Sequence, residues 1–331
     1  MRVGLTLYGS LDEQSGGFRY DRRLVEGLRC AGDTVELVEL PWREYYRGLL
    51  DNGSQTLRRR LAVDVDVMLQ DELAHPSLVR TNRALGYPIV SVVHHLRSSE
   101  PRRLAPLYRA VERRYLDTVD AAVCNSHTTQ SVVTDLGVDR TVVAPQAGDR
   151  LDPAIDPEEI DHRAEGGPCR AFFVCNTPPR KGLDTLVEGM GRAAADIDLT
   201  VVGKLADEGH IERVRAAVCK HGLTDRVSFR GRLPDAELAG VLESSHVLAV
   251  PSRYEGFGIV YLEGMSYGLP ALASRAGGAS DLVTDGETGP LVDPDDPAAV
   301  ARELTRVATA PQRTAAMGRP PRPRDAVPPD C

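Results

Sequence analysis

Short apolar runs rich in β-branched residues alternate along the chain with longer stretches whose apolar positions recur at helical spacing. The opening run, Arg2-Val3-Gly4-Leu5-Thr6-Leu7-Tyr8, reads as a strand, as do 34–40 (TVELVEL), 64–69 (DVDVML), 88–93 (PIVSVV) and 120–124 (DAAVC). Helical patterns lie between them, for example at 17–31 and 102–117. Strands alternating with helices predict parallel sheets covered by helices on both faces. The stretch 144–168 breaks the rhythm with Pro, Asp, Glu and Gly and reads as an interdomain connection. Beyond it the alternation restarts at 169–175 (CRAFFVC), 197–202 (IDLTVV), 226–230 (RVSFR), 246–250 (HVLAV) and 270–273 (PALA). The expected fold class is therefore α/β: two Rossmann-like, doubly wound domains, residues 1–160 and 161–310, facing across a cleft. From Pro311 onward apolar periodicity is lost and prolines accumulate, so 311–331 is expected to be a disordered tail.

Bulk properties narrow the class. A length of 331 residues suits two ordinary domains, and 42% apolar residues are enough to fill their cores. The formal net charge of -8 argues against a nucleic-acid partner, which calls for a basic face. The cysteines Cys30, Cys124, Cys169, Cys175, Cys219 and Cys331 are scattered without a C-x-x-C pair, as in a reduced cytosolic chain without a structural zinc. Neither a signal peptide nor a membrane-spanning apolar stretch is evident, so a cytoplasmic protein, peripheral to a membrane at most, is expected.

The strongest chemical signal is Ser252-Arg253-Tyr254-Glu255-Gly256-Phe257-Gly258-Ile259-Val260-Tyr261-Leu262-Glu263, between a strand-like run and a helical pattern. Glu255 and the glycines fall at the strand-to-helix turn, and Glu263 about two turns into the helix. Glycines there let a ligand approach the backbone, and free N–H groups at a helix start suit phosphate or sugar oxygens. The bland reading is a helix-initiating turn with two solvated glutamates. A second strand-to-helix turn carries Pro179-Arg180-Lys181-Gly182, whose cations suit a diphosphate.

This order of motifs resembles the family 4 glycosyltransferases of GT-B architecture, over roughly residues 1–310. The most specific part is the Glu–seven residues–Glu pattern at 255–263, within EGFGIVYLEGMSYGLP and followed by Gly277-Gly278 and DGETGPLVDPDD. Gly16-Gly17 before a helix, and His94 closing PIVSVV, also match. The resemblance implies a retaining, metal-independent hexosyltransferase that needs no cofactor and takes a nucleoside-diphosphate sugar as donor. It implies catalytic roles for His94, Glu255 and Lys181. It assigns the donor to Gly16, Gly17, Arg180, Lys181, Gly231, Leu233, Glu255, Gly256, Phe257, Gly258, Ile259 and Glu263. Among these Glu255 would contact the sugar, Glu263 the ribose, Arg180 and Lys181 the diphosphate, and Gly231 and Leu233 the base. Asp71, Glu72 and His95 are candidates for the acceptor side, Glu72 as a base. The acceptor would be a glycan, a lipid carrier or a small molecule.

The chain also departs from the family pattern. Asn176 stands near the place of a common arginine, His95 follows His94 where an aspartate is common, and the proline-rich tail replaces terminal helices, suggesting a truncated or frame-altered end. A sugar-nucleotide epimerase or phosphorylase of the same architecture is disfavoured by the EGFG string and Glu263. The alternative reading is a catalytically degenerate protein kept as a binding or scaffold partner, which would release no sugar. The D-x-D string Asp64-Val65-Asp66 opens an apolar run and does not signal a metal. A basic, aromatic stretch from Trp42 to Leu61, with further arginines at 97–114, fits a solvated helix face or a peripheral membrane contact.

Overall fold

A computed structural model describes residues 1–319 apart from Gln14, Pro101, Arg102, Asp149, Asp152, Ala154, 164–166, 175–178, 205 and 206. Two compact units divide the chain: Met1–Ala147 with Tyr254–Ile259, and Gly148–Arg253 with the residues from Val260 onward.

In the first unit the strands are β1 (Arg2–Tyr8), β2 (Thr34–Leu40), β3 (Val67–Asp71), β4 (Ile89–Val93), β5 (Ala121–Cys124) and β6 (Thr141–Val143). They form one parallel sheet in the order β2-β1-β3-β4-β5-β6. Its helices are α1 (Gly16–Cys30), α2 (Tyr45–Leu50), α3 (Gln55–Leu61), α4 (His75–Leu78), α5 (Ala105–Leu116) and α6 (His127–Asp135). The second unit has helices α7 (Pro157–Arg163), α8 (Leu183–Met190), α9 (Glu208–Lys220), α10 (Asp235–Ser244), α11 (Ile259–Ser266), α12 (Pro297–Thr309) and α13 (Pro311–Gly318). Its strands are β7 (Cys169–Val174), β8 (Ile197–Val202), β9 (Val227–Gly231), β10 (Val247–Val250), β11 (Ala271–Ser274) and β12 (Leu291–Val292). They make a second parallel sheet, β12-β11-β10-β7-β8-β9.

The strands read as continuous apolar runs because a parallel sheet is covered on both faces. Val247–Val250 and Ala271–Ser274 are buried along their whole length, and β1 is buried from Val3 to Tyr8. Polar residues start the helices. Ser15, Ser54, Ser126, Asp207 and Asp296 each accept a backbone N–H of the first turn, worth about 1 kcal/mol apiece. Both sheets have a switch point, where consecutive connections leave in opposite directions: between β1 and β3 in the first, and between β7 and β10 in the second. Parallel α/β sheets bind ligands beyond the carboxyl ends of the strands at such points.

Three expectations are corrected, and two strands are added. The run from Asp64 becomes a strand only at Val67, because Asp64 and Asp66 are held by Arg2: its backbone N–H donates to Asp66 Oδ2 at 2.7 Å, and its Nη2 to Asp64 Oδ1 at 3.0 Å. Two short edge strands, β6 and β12, were not legible. The boundary falls at Ala147/Gly148 and not at 160/161, since α7 belongs to the second unit. There Arg163 Nη2 donates to the carbonyl of Tyr267 at 2.9 Å, and Nη1 to that of Glu243 at 3.2 Å. Finally, the tail expected to be disordered from Pro311 begins with a packed helix. Thr314 is buried and its hydroxyl donates to Val307 O at 2.9 Å. The rest of that tail, from Pro320, lies outside the described residues.

A Cβ placed on Gly318 would stand 1.9 Å from the carbonyl oxygen of Gly268, a backbone atom that cannot swing away. Gly318→Ala is therefore expected to destabilise the second unit by about 1–3 kcal/mol, read as a lowered Tm. An unchanged Tm would mean that α13 is not part of the packed domain.

Candidate functional site

In the first unit the candidate residues gather beyond the carboxyl ends of β1, β3, β4 and β5. Gly16 and Gly17 open α1, behind the Ser15 cap. Gly17 lies over the His94 ring: a Cβ there would be 3.3 Å from His94 Cδ2. A Cβ on Gly16 would lie 3.7 Å from Ile259 Cγ2. His94 follows β4 and is only 8% exposed. Its Nε2 faces Asp21 Oδ1 at 3.3 Å, and the Tyr20 ring meets it edge-on at 5.0 Å.

The segment 254–259 packs in this unit although it lies, in sequence, between β10 and α11. At Gly256 a Cβ would stand 2.4 Å from the His94 carbonyl oxygen and 3.2 Å from His95 Cβ, so no other residue fits without displacement. The Gly256 carbonyl accepts from Ser126 Oγ at 2.8 Å, and Asn125 Nδ2 donates to the His94 carbonyl, also at 2.8 Å. Glu255 and Phe257 are buried, and Gly258 has φ +96°. His95 meets Glu100 Oε1 through Nε2 at 2.8 Å and packs its ring 5.2 Å from that of Tyr254.

Beneath His94 sit three buried carboxyls, Asp21, Asp71 and Glu72. Glu72 accepts the backbone N–H of His94 at 3.0 Å and of His95 at 3.3 Å. This overturns its expected role as an acceptor-side base, because both oxygens are committed to main chain at the end of β4. Asp71 is likewise buried, the last residue of β3, with Oδ1 accepting from Leu73 N at 2.7 Å. Burial, reinforced by Glu72 and Asp21, holds the Asp71 carboxyl well above the usual carboxylate range. Burial also raises Glu72, against the lowering effect of His94. For His94 burial acts downward, but the Asp21 hydrogen bond and the charges of Glu72 and Asp21 outweigh it and raise its pKa. Among the described residues, Asp21, Asp71 and His94 could also bring one ligand atom each to a cation, within 4.8 Å of one another.

In the second unit the basic turn Pro179–Lys181 lies between β7 and α8, with Lys181 buried and Arg180 half-buried. Gly182 closes it at φ +74°; a Cβ there would lie 2.1 Å from the Pro251 carbonyl oxygen. The turn is thus pressed against the end of the β10 segment, at the switch point. Gly231 ends β9 with φ +65°, and Leu233 follows it, packed against the core. Glu263 is buried on α11, in the helix whose Tyr261 hydroxyl donates to Val250 O at 2.7 Å. Asn176 lies outside the described residues.

Two family descriptions match this sequence. Glycosyltransferase Family 4 covers residues 15–147, and Glycosyl transferases group 1 covers residues 168–310. The D-rhamnosyltransferase WbpZ of Pseudomonas aeruginosa is 30% identical over 79% of this chain and 69% of that protein. This chain belongs to the family 4 glycosyltransferases.

Within the family, a D-inositol 3-phosphate glycosyltransferase of Segniliparus rotundus is 32% identical over 71% of this chain and 56% of that protein. An MMP alpha-(1->4)-mannosyltransferase of Mycolicibacterium hassiacum is 29% identical over 77% of this chain and 64% of that protein. The chain therefore spans less than two thirds of the length of these two relatives. Sucrose-phosphate synthase from Thermosynechococcus elongatus superposes with a TM-score of 0.80 at 20% identity, over 96% of this chain and 92% of that one. Anabaena HepE in complex with UDP-glucose superposes with a TM-score of 0.70 at 18% identity, over the same shares of the two chains. The fold is GT-B, with two Rossmann-like domains.

Asp21, Asn125 and Ser126 were not singled out from the sequence. Ser126 was findable: an Asn-Ser pair directly after a strand, with Thr129 three residues on, reads as a helix cap beyond a carboxyl end.

The buried carboxyls give a pH prediction. A carboxyl whose folded pKa is raised binds more protons in the folded state, so its stability contribution is present below the unfolded pKa and is lost as pH rises toward the folded value. Asp71→Asn keeps an acceptor for Leu73 N but cannot ionise. Its Tm is expected to exceed that of the wild type at pH 8 and to match it near pH 4. An equal offset at both pH values would show that Asp71 is ionised in the fold.

Proposed function

We propose that this chain is a retaining, metal-independent glycosyltransferase that moves a sugar from a nucleoside-diphosphate sugar to a hydroxyl acceptor. The observation that carries the reading is the strand order around β7 and β10. The Arg180–Lys181 turn follows β7 and the Glu255 segment follows β10, the two strands that flank the switch point. In this reading Arg180 and Lys181 take the diphosphate, Glu263 accepts from the ribose hydroxyls, and Gly231 and Leu233 border the base. Glu255 and the backbone of Gly256, Phe257, Gly258 and Ile259 meet the sugar and phosphates, with Gly16, Gly17 and His94 completing the donor's surroundings.

The chemistry follows from charge. The bond between the sugar C1 and the phosphate oxygen breaks, and its electrons leave with the diphosphate. Fixed cations and N–H dipoles stabilise that charge where water is excluded. The sugar acquires oxocarbenium character, which a neighbouring carboxylate such as Glu255 supports. The acceptor oxygen forms the new bond on the face that the phosphate vacates, and its proton passes to the leaving phosphate. Metal independence is supported by the two cations at the basic turn, and by Asp64 and Asp66 being engaged with Arg2 at the amino end of β3.

The acceptor class stays as broad as a glycan, a lipid carrier or a small molecule, with His95 on its side of the reaction. Exposed Trp42, Tyr46 and Leu50 near Arg43 and Arg47 support a peripheral contact with a membrane surface. Among the described residues no helix is long and apolar enough to cross one.

Purified chain incubated with UDP-, GDP-, ADP- and dTDP-sugars in EDTA should release nucleoside diphosphate from one donor. Lys181→Ala and Glu255→Ala should each lower kcat/KM by about a hundredfold or more. NMR of the product should show the donor's anomeric configuration. Release that survives both substitutions, or depends on added Mg²⁺, would refute the reading, as would an inverted product for retention.

A further inference from the structure

Arg253 precedes the Tyr254-Glu255 pair and does not belong to the donor-contact set above. Its guanidinium nevertheless reaches three separate pieces of the second unit. Nη2 donates to Asp184 Oδ2 at 2.8 Å and Nη1 to Asp184 Oδ1 at 3.2 Å, a two-pronged pair with the first turn of α8. Nε meets Asp295 Oδ1 at 2.7 Å. Nη1 also donates to the carbonyl of Pro179. The backbone N–H of Arg253 adds a bond to Arg180 O at 2.6 Å. One residue thus holds two consecutive carbonyls of the turn that carries Arg180 and Lys181.

Asp295 takes an unusual conformation to take part. It is, among the described residues, the one non-glycine with positive φ, at +55°, and Thr185 Oγ1 donates to the same Oδ1 at 3.4 Å. A non-glycine residue there is disfavoured, and it persists where surrounding bonds over-determine it. Burial pushes the Asp184 carboxyl up, but Arg253 outweighs it and holds it below its ordinary value.

We propose that Arg253, clasped between Asp184 and Asp295, is a positioning residue for donor binding: it fixes the Pro179–Lys181 turn in the conformation that presents its cations to a nucleoside diphosphate. This rests on the proposed donor site. The clasp needs arginine itself, because the fork supplies separate donors to Asp184, Asp295 and Pro179, which a single ammonium cannot reach together.

Two variants test it, Arg253→Lys and Asp295→Gly, with donor KM, kcat, calorimetric Kd for UDP and GDP, and Tm read for each. Glycine accepts positive φ freely, so Asp295→Gly relieves the backbone while cutting the Arg253 bond. A merely structural role predicts an unchanged donor KM in Asp295→Gly with an unchanged or higher Tm. The clasp predicts that KM and Kd rise about tenfold, with kcat within about twofold and no fall in Tm. Arg253→Lys should raise KM at least as far. An unchanged KM in Asp295→Gly overturns the clasp, whatever Arg253→Lys does and even if that variant fails to fold. A wild-type chain that binds neither nucleotide and turns over no donor overturns the donor site itself, and the clasp with it.

Discussion

The approach of main chain to main chain at Gly256 is the constraint on which the candidate site depends. With the His94 carbonyl oxygen 2.4 Å from where a Cβ would stand, position 256 admits no side chain. The Gly256 carbonyl is then free to turn toward Ser126, and His94 and His95 present their N–H groups to Glu72 on the other side. Each link is short and directional, and each uses a group that would otherwise be a buried orphan. The placement of Glu255, one residue before, follows from them. A side chain at 256 would therefore push against His94 and His95 and displace the segment that carries Glu255.

The polar network below this contact works against stability. Asp21, Asp71 and Glu72 are all removed from water within reach of one imidazole, and Asp21 Oδ2, Asp71 Oδ2 and His94 Nδ1 lie buried without hydrogen-bond partners. Buried carboxyls without full pairing cost several kcal/mol or hold a proton to avoid that cost. Nothing in the packing of the sheet requires them, since apolar residues fill the rest of its core. Such concentrations of unfavourable polarity gather where function demands them. Here they converge on the histidine that faces Gly17.

Much of this was legible in the chain. Parallel strands buried on both faces write themselves as apolar runs such as HVLAV, and the loops at their carboxyl ends carry the glycines, cations and glutamates that a ligand needs. What escaped did so for physical reasons. β12 is two residues long at a sheet edge, too short to leave a period. Helix α13 is polar and opens on proline, and its order comes from Thr314 and Gly318 fitting a surface that only the folded domain creates. Glu72 looked like a base because a carboxylate after a strand usually meets solvent; its commitment to two backbone N–H groups depends on β4 lying next to β3. The clasp of Arg253 joins positions 179, 184, 253 and 295, which no local pattern brings together.

The most direct test of the account is a crystal structure of the full chain with UDP or GDP bound. The diphosphate is expected within hydrogen-bond distance of Arg180 and Lys181, with the ribose hydroxyls on Glu263. A nucleotide lodged elsewhere, or none bound at millimolar concentration, would contradict it.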